Sequence, residues 1–348
     1  MAPDPETAQG RDRAERMQAF LAGCGMAAAA VRPLAADASF RSYHRVHATD
    51  GRVLVLMDAP PPAEDVRPFM RIAALLAEWN LSAPEVLAAD AENGFLLLED
   101  LGDDLFSQLI QSRAVPEEQL YGAAIDVLIA LHARPAPPDL PQHDAATLLA
   151  EVELFLEWRF PEIHGRGAAA AEADSFRAAW QQALANLQDT PDTRATGTLV
   201  LRDYHVDNLI WRPERDGPRR VGLLDFQDAV SGHAAYDVAS LLSDVRRDID
   251  PALAERMVQR YLRGTGLDPA TFRLALAVLG AQRNMRILGV FTRLWRRDNK
   301  PSYTGWLART WRLVRRDLNH DALAPVQAWV QQHAPRDTRA DRMERRGS

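Results

Sequence analysis

Hydrophobic and polar positions follow two different periods along this chain, and the switch between them divides it. Residues 11–30 place apolar side chains near helical spacing, with Gly23 and Gly25 punctuating the run, and predict a first helix. Residues 38–60 then change to period-2 runs rich in Val, Tyr, Phe and Leu around Thr49-Asp50-Gly51, the pattern of a β-hairpin, which Pro60, Pro61 and Pro62 terminate. An amphipathic helix is expected over 66–79, and after Pro84 two short strands, 85–89 and 95–99, flank the turn 90–94. From residue 103 the helical period dominates: 117–133, 144–160, 169–187, 237–247, 251–265, 270–298 and, in pieces, 302–331. One hairpin interrupts these helices, with the apolar runs 208–212 (NLIWR) and 220–224 (RVGLL) joined by a polar turn holding Asp216 and Gly217.

This order predicts an α+β, bilobal chain: a small β-rich N-terminal lobe over 1–100, a larger helical lobe over 101–334 joined near residues 99–103, and a polar tail, 335–348, expected to be disordered. With 348 residues, 47% of them hydrophobic, the chain can bury a substantial core, which excludes disordered and fibrous classes. No apolar run approaches the roughly 18 residues of a membrane span. The charged, proline-bearing N-terminus lacks the apolar stretch of a signal peptide, so a cytoplasmic location is the expectation. A single cysteine, Cys24, rules out an intrachain disulfide and a zinc site built on several thiolates. A formal charge of −7 argues against nucleic acid as a partner, and no feature calls for an obligate protein partner or a membrane. Of the 41 basic residues only Lys300 is lysine, so chemistry that needs a lysine in the first 299 residues is ruled out.

The interrupting hairpin carries the chemistry. Asp203 and Asn208 stand five residues apart on the way into its first strand, and Asp225 directly follows its second. Pairing the two strands brings these groups to one end, where an amide and two carboxylates suit a hard cation such as Mg²⁺ rather than zinc.

The spacing resembles ATP-dependent phosphoryl transfer on a protein-kinase-like fold: residues 202–208 (RDYHVDN) match R-D-x-x-x-x-N, and 225–229 (DFQDA) stand where such folds place a metal-binding Asp. Followed by 232–242 (GHAAYDVASLL), the pattern is similar to the aminoglycoside phosphotransferase and choline kinase group. Within that group, residues 37–46, 55–61, 95–103, 201–211 and 282–294 resemble the bacterial anomeric kinases of N-acetylmuramate and N-acetylglucosamine that serve cell-wall recycling. The resemblance implies ATP as donor, Mg²⁺ as cofactor, Asp203 as catalytic base, Asn208 and Asp225 as metal ligands, backbone contacts to adenine from Glu99 and Leu101, and a brace for the catalytic loop from Asp237. Inside that loop, His205 is a candidate substrate contact. An aminoglycoside, homoserine, thiosugar or choline kinase of the same fold, or a catalytically silent nucleotide-binding protein, are the alternatives.

Three departures shape the expectations. Leu201 replaces the His that opens the loop in most relatives, which removes a bracing hydrogen bond. The turn 36–39 lacks the usual glycines, leaving Ser39 and backbone N–H groups to meet the phosphates. Met57 occupies the position of the phosphate-binding lysine, so an arginine must act instead, and Arg41 or Arg45 is placed to do so by strand alternation. Asp228 reads equally as an orienter of the metal site or a helix N-cap. Trp158 and Trp211 read as core, with sugar stacking as the alternative. For the acceptor, the stretch 281–317 holds nine arginines and Lys300 against Asp298 and Asp317, which disfavours a polycationic substrate and favours a neutral or anionic amino sugar, with Arg283 or Arg286 clamping a carboxylate.

Overall fold

The structure, a computed structural model, describes residues 5–34, 40–187 and 193–334; the expected disordered tail, 335–348, lies outside them. Packing divides the chain into two compact units, 1–115 with 207–228 and 116–206 with 229–348. The sequence boundary near residue 100 left the interrupting hairpin with the helical part. Backbone pairing of Ser82 with Gly222 and of Leu105 with Ile210 joins that hairpin to the first unit instead.

In chain order, the first unit begins with α1 (Pro5–Gly23), β1 (Ala30–Pro33), β2 (Ser42–His47), β3 (Val53–Asp58), α2 (Arg67–Glu78), β4 (Val86–Asp90), β5 (Phe95–Glu99) and α3 (Phe106–Ser112). The second unit supplies α4 (Glu117–His132), α5 (Ala145–Val152), a π-helical turn (Phe155–Arg159), α6 (Phe160–His164), α7 (Ala170–Ala185) and β6 (Thr198–Val200). The hairpin is β7 (Leu209–Trp211) and β8 (Val221–Leu223); after it come β9 (Val230–Gly232), α8 (Ala235–Leu242), α9 (Pro251–Thr265), α10 (Pro269–Arg296), α11 (Leu307–Asp317) and α12 (Ala324–His333).

The first unit is a five-stranded antiparallel sheet in the order β1-β2-β3-β5-β4. One face buries Val46, Leu54, Leu56, Phe95 and Leu97 against Leu21 and Met26. Strand alternation sets this face. Helix α2 buries Phe69, Ile72, Ala73 and Leu76, the i, i+3, i+4, i+7 stripe read in the sequence. The first helix ends earlier than its apolar run suggests, because Gly25 takes a left-handed φ of 76° and the chain turns. Residue 30, expected to close the first helix, instead opens the edge strand β1, which pairs with β2.

The second unit is helical apart from the short β6–β9 pair, which the sequence reading missed because each strand has only three residues. Helices α9 and α10 each start at an Asp-Pro step: Asp250 and Asp268 accept the backbone N–H of Leu253 and Thr271, and the proline needs no donor partner. Helix α10, 28 residues and about 42 Å long, runs through the core and buries three polar side chains in its middle, Gln282, Arg283 and Asn284. Among the described residues no helix is long and apolar enough to cross a membrane.

Candidate active site

In the first unit, β7 and β8 pair Leu209 with Leu223, Ile210 with Gly222 and Trp211 with Val221. Gly222 leaves room for a close approach here, since a Cβ would lie 2.9 Å from Leu101 Cδ1 and 3.3 Å from Ile210 Cβ. The ladder continues one step, with Leu224 N–H donating to the Asn208 carbonyl at 3.0 Å. Register alone therefore brings Asn208 and Asp225 together, Asn208 Nδ2 lying 3.4 Å from Asp225 Oδ2. Asp225 has a φ of 56°, a conformation that costs a non-glycine residue about 1–2 kcal/mol. The next residue, Phe226, is fully buried and stacks on Phe69 of α2 with ring centroids 4.7 Å apart, which anchors the strained turn. An amide and a carboxylate oxygen, and no sulfur or imidazole, are a donor pair for a hard divalent cation that completes its sphere with phosphate and water oxygens.

The two candidate phosphate arginines differ. Arg41 immediately precedes β2, with Nη2 3.9 Å from Asp225 Oδ1 and Nε 3.5 Å from Glu64. Burial works against its charge, but Tyr43, Asp225 and Glu64 outweigh that and hold the guanidinium above its usual pKa. Arg45 instead forks onto Asp103 at 2.8 and 2.9 Å and pairs with Asp100 at 2.7 Å, just beyond β5. Met57 is buried in the sheet, opposite Tyr43 and Leu96. Glu99 commits its N–H to the Glu85 carbonyl and its carboxylate to Arg215, while the Leu101 side chain is buried against Gly222. Ser39 and the turn 36–39 lie outside the described residues. Asp228 is exposed and leads into β9, so it caps no helix. Trp211 is buried against Phe106, and Trp158 sits half-buried in the π-helical turn.

In the second unit, the loop leaving β6 is held by buried charge. Asp237 on α8, fully buried, accepts the N–H of Leu201 at 2.7 Å and of Arg202 at 2.9 Å. The brace expected from Asp237 thus reaches the loop through its backbone N–H groups, which Leu201 supplies as well as a histidine would. Arg202 has a φ of 70° and an ion pair to Glu151 of α5. Tyr204 is buried and donates to the Ala124 carbonyl at 2.8 Å. Asp203 stands between these anchors, half-buried.

Around this loop the structure gathers His205, Arg246, Arg283 and Arg286. His205 is buried, which pushes its pKa well below the usual imidazole value, with Arg246 and Arg283 adding to the effect, so it is neutral. Arg283 and Arg286, one turn apart on α10, both feel the charge of Asp203. Arg286 is shared with Glu151, 3.6 Å away, and Tyr236. Arg283 is 3% exposed, its pKa is lowered by burial, and its Nη1 has no hydrogen-bond partner among the described residues. Burial works against ionisation of Glu151, yet the His143 hydrogen bond and the Arg286 and Arg202 charges bring it down to about 2. Glu151 carried no signal in the sequence, because its partners stand far from it along the chain.

Part of the basic excess of 281–317 is offset by acids outside that window: Arg296 pairs with Glu162, and Arg309 and Arg312 with Asp248. A charge count along a segment misses such partners, which stand elsewhere in the chain.

A profile described as "Phosphotransferase enzyme family" matches residues 30–276. The N-acetylmuramate/N-acetylglucosamine kinase of Caulobacter vibrioides is 37% identical, over 94% of this chain and 98% of its own. Among solved structures, a choline/ethanolamine kinase family protein from Mesorhizobium loti superposes with a TM-score of 0.61 at 16% identity, covering 92% of this chain and 99% of that one. Amicoumacin kinase in complex with AMP-PNP and Ca²⁺ does so with a TM-score of 0.56 at 15% identity, covering 82% and 87%. Both show a shared kinase-like fold. With its profile matched over more than half the length and a relative this similar along nearly all of it, the chain belongs to the phosphotransferase enzyme family.

Proposed function

We propose that the protein is an ATP-dependent kinase that transfers the γ-phosphoryl group to the anomeric hydroxyl of N-acetylmuramate and N-acetylglucosamine. The observation that carries this reading is the likeness, over almost the whole chain, to a Caulobacter vibrioides kinase named for those two sugars. The amicoumacin kinase neighbour, which holds AMP-PNP and Ca²⁺, supports a nucleoside triphosphate with a divalent cation as the donor.

In this reading Asn208 and Asp225 hold Mg²⁺, whose chemistry is to offset charge on the transferring phosphates. Arg41, beside Asp225, adds the fixed cation that Met57 does not provide. Asp203 orients the anomeric hydroxyl and accepts its proton as the sugar oxygen bonds to the γ-phosphorus and the bond to the ADP oxygen breaks. Neutral His205 offers the sugar a hydrogen bond without adding charge. Arg283, with a donor to spare, meets the lactyl carboxylate of N-acetylmuramate, while Arg286 keeps Glu151 and the loop in place.

Incubation with Mg²⁺, ATP and a panel of N-acetylmuramate, N-acetylglucosamine, kanamycin and choline, read by phosphorus NMR, tests this. The expected product is an anomeric phosphate of either amino sugar. A phosphate on another carbon, or preference for kanamycin or choline, contradicts it.

A further inference from the structure

Asp237 poses an electrostatic problem inside the second unit. It is a fully buried carboxylate whose hydrogen bonds to the Leu201 and Arg202 N–H groups come from neutral donors, and a buried charge is costly without further compensation. Three aromatic side chains act on it. Tyr204 and Tyr261 are phenols whose burial pushes their pKa up, so they stay uncharged. The third is His132, in the last turn of α4, with Nε2 3.8 Å from Asp237 Oδ2, the same oxygen that accepts Leu201 N–H.

His132 is held from its other side. Its Nδ1 lies 2.8 Å from the Tyr261 hydroxyl on α9, and Tyr261 is stacked on Phe272 of α10 at 4.9 Å. With the Tyr261 hydroxyl donating to Nδ1, the ring proton stands on Nε2, the nitrogen that faces the carboxylate. Nε2 is buried and has no hydrogen-bond partner among the described residues, which leaves Asp237 as the charge it serves. We propose that His132, fixed by Tyr261, is a positioning residue for phosphoryl transfer: its Nε2–H holds the Asp237 carboxylate aimed at the loop, and so sets the place of Asp203. The strained φ of Arg202 makes this matter, because without the two Asp237 hydrogen bonds that residue relaxes and carries its neighbour Asp203 with it.

The fold also supplies a way to test this. A cavity of about 390 Å³ is lined by His132 and Tyr261, with Arg134, Thr198 and Leu267 among its walls, so truncating His132 enlarges a space that added imidazole can enter. The proposal rests on the kinase reading for its turnover assay, and amide exchange at Leu201 and Arg202 reads the brace without any substrate. For His132→Ala, kcat falls roughly ten- to a hundred-fold with little change in KM for ATP or sugar, as expected of misplaced chemistry rather than lost binding. Imidazole restores kcat, and the Leu201 and Arg202 amides exchange faster than in the wild type. His132→Gln, which returns an N–H toward Asp237, keeps more activity than His132→Leu, which fills the space without one. Tyr261→Phe, which removes a single hydroxyl, lowers kcat several-fold and covers the case of an Ala variant that does not fold. Equal loss in the Gln and Leu variants, or wild-type kcat and exchange in His132→Ala, overturns the proposal. A wild type that phosphorylates neither sugar defeats the kinase reading instead, and the exchange measurement still decides on the brace.

Discussion

The β7–β8 hairpin and the 201–205 loop are almost contiguous in the chain, yet the first belongs to one unit and the second to the other, and they are held by opposite means. Asn208 and Asp225 are brought together by backbone register, one ladder step beyond Leu209–Leu223, with an aromatic anchor at Phe226. Asp203 is placed by buried ionisable side chains: Asp237 under Leu201 and Arg202, and Glu151 on the Arg202 guanidinium. Register tolerates the loss of a single side chain. A buried charge does not, since removing either partner leaves the other desolvated and unpaired. The metal-type residues thus rest on a robust support and the candidate base on a sensitive one.

Variants that break the comparison differ in expected size. Asp203→Asn produces the largest effect, lowering kcat by roughly 10²–10⁴-fold through loss of the proton acceptor, as steady-state kinetics will show. Arg41→Ala raises the KM for ATP and lowers kcat by about ten-fold, the scale of one charge-assisted contact, whereas Arg45→Ala, which only frees Asp100 and Asp103, leaves both constants near wild type. Equal effects of the two would remove the distinction between the arginines. Asp237→Asn, which turns one acceptor facing the loop into a donor, destabilises the chain by about 1–3 kcal/mol in denaturant unfolding. The smallest effect is the pH dependence of Glu151. Its carboxyl drops from the usual 4.5 to about 2, so its contribution is present above 4.5 and lost as the pH falls through 2. The Tm deficit of Glu151→Gln is therefore full at pH 7 and narrows below about 4.5; a deficit that grows in acid contradicts the ion pair.

What was legible in the sequence follows the same division. The hairpins, α2 and the Asn208–Asp225 pairing were readable because period, turn chemistry and register are local. The strand at 30–33 was not, because Ala30 and Val31 suit a helix equally and only pairing with β2 decides. Asp203 was legible by spacing, but Glu151, Arg246 and His132, which shape its surroundings, come from three separate segments and carry no motif. Part of the charge in the arginine-rich stretch is paired for a related reason that no local count shows, since Glu162 and Asp248 stand elsewhere in the chain.

The division between a binding hairpin and a chemical loop is tested most directly by calorimetric titration of MgATP into Asp203→Asn and Asp225→Ala. The account predicts near wild-type affinity for Asp203→Asn and loss of Mg²⁺-dependent binding for Asp225→Ala. Equal loss in both variants, or unimpaired binding by Asp225→Ala, would contradict it.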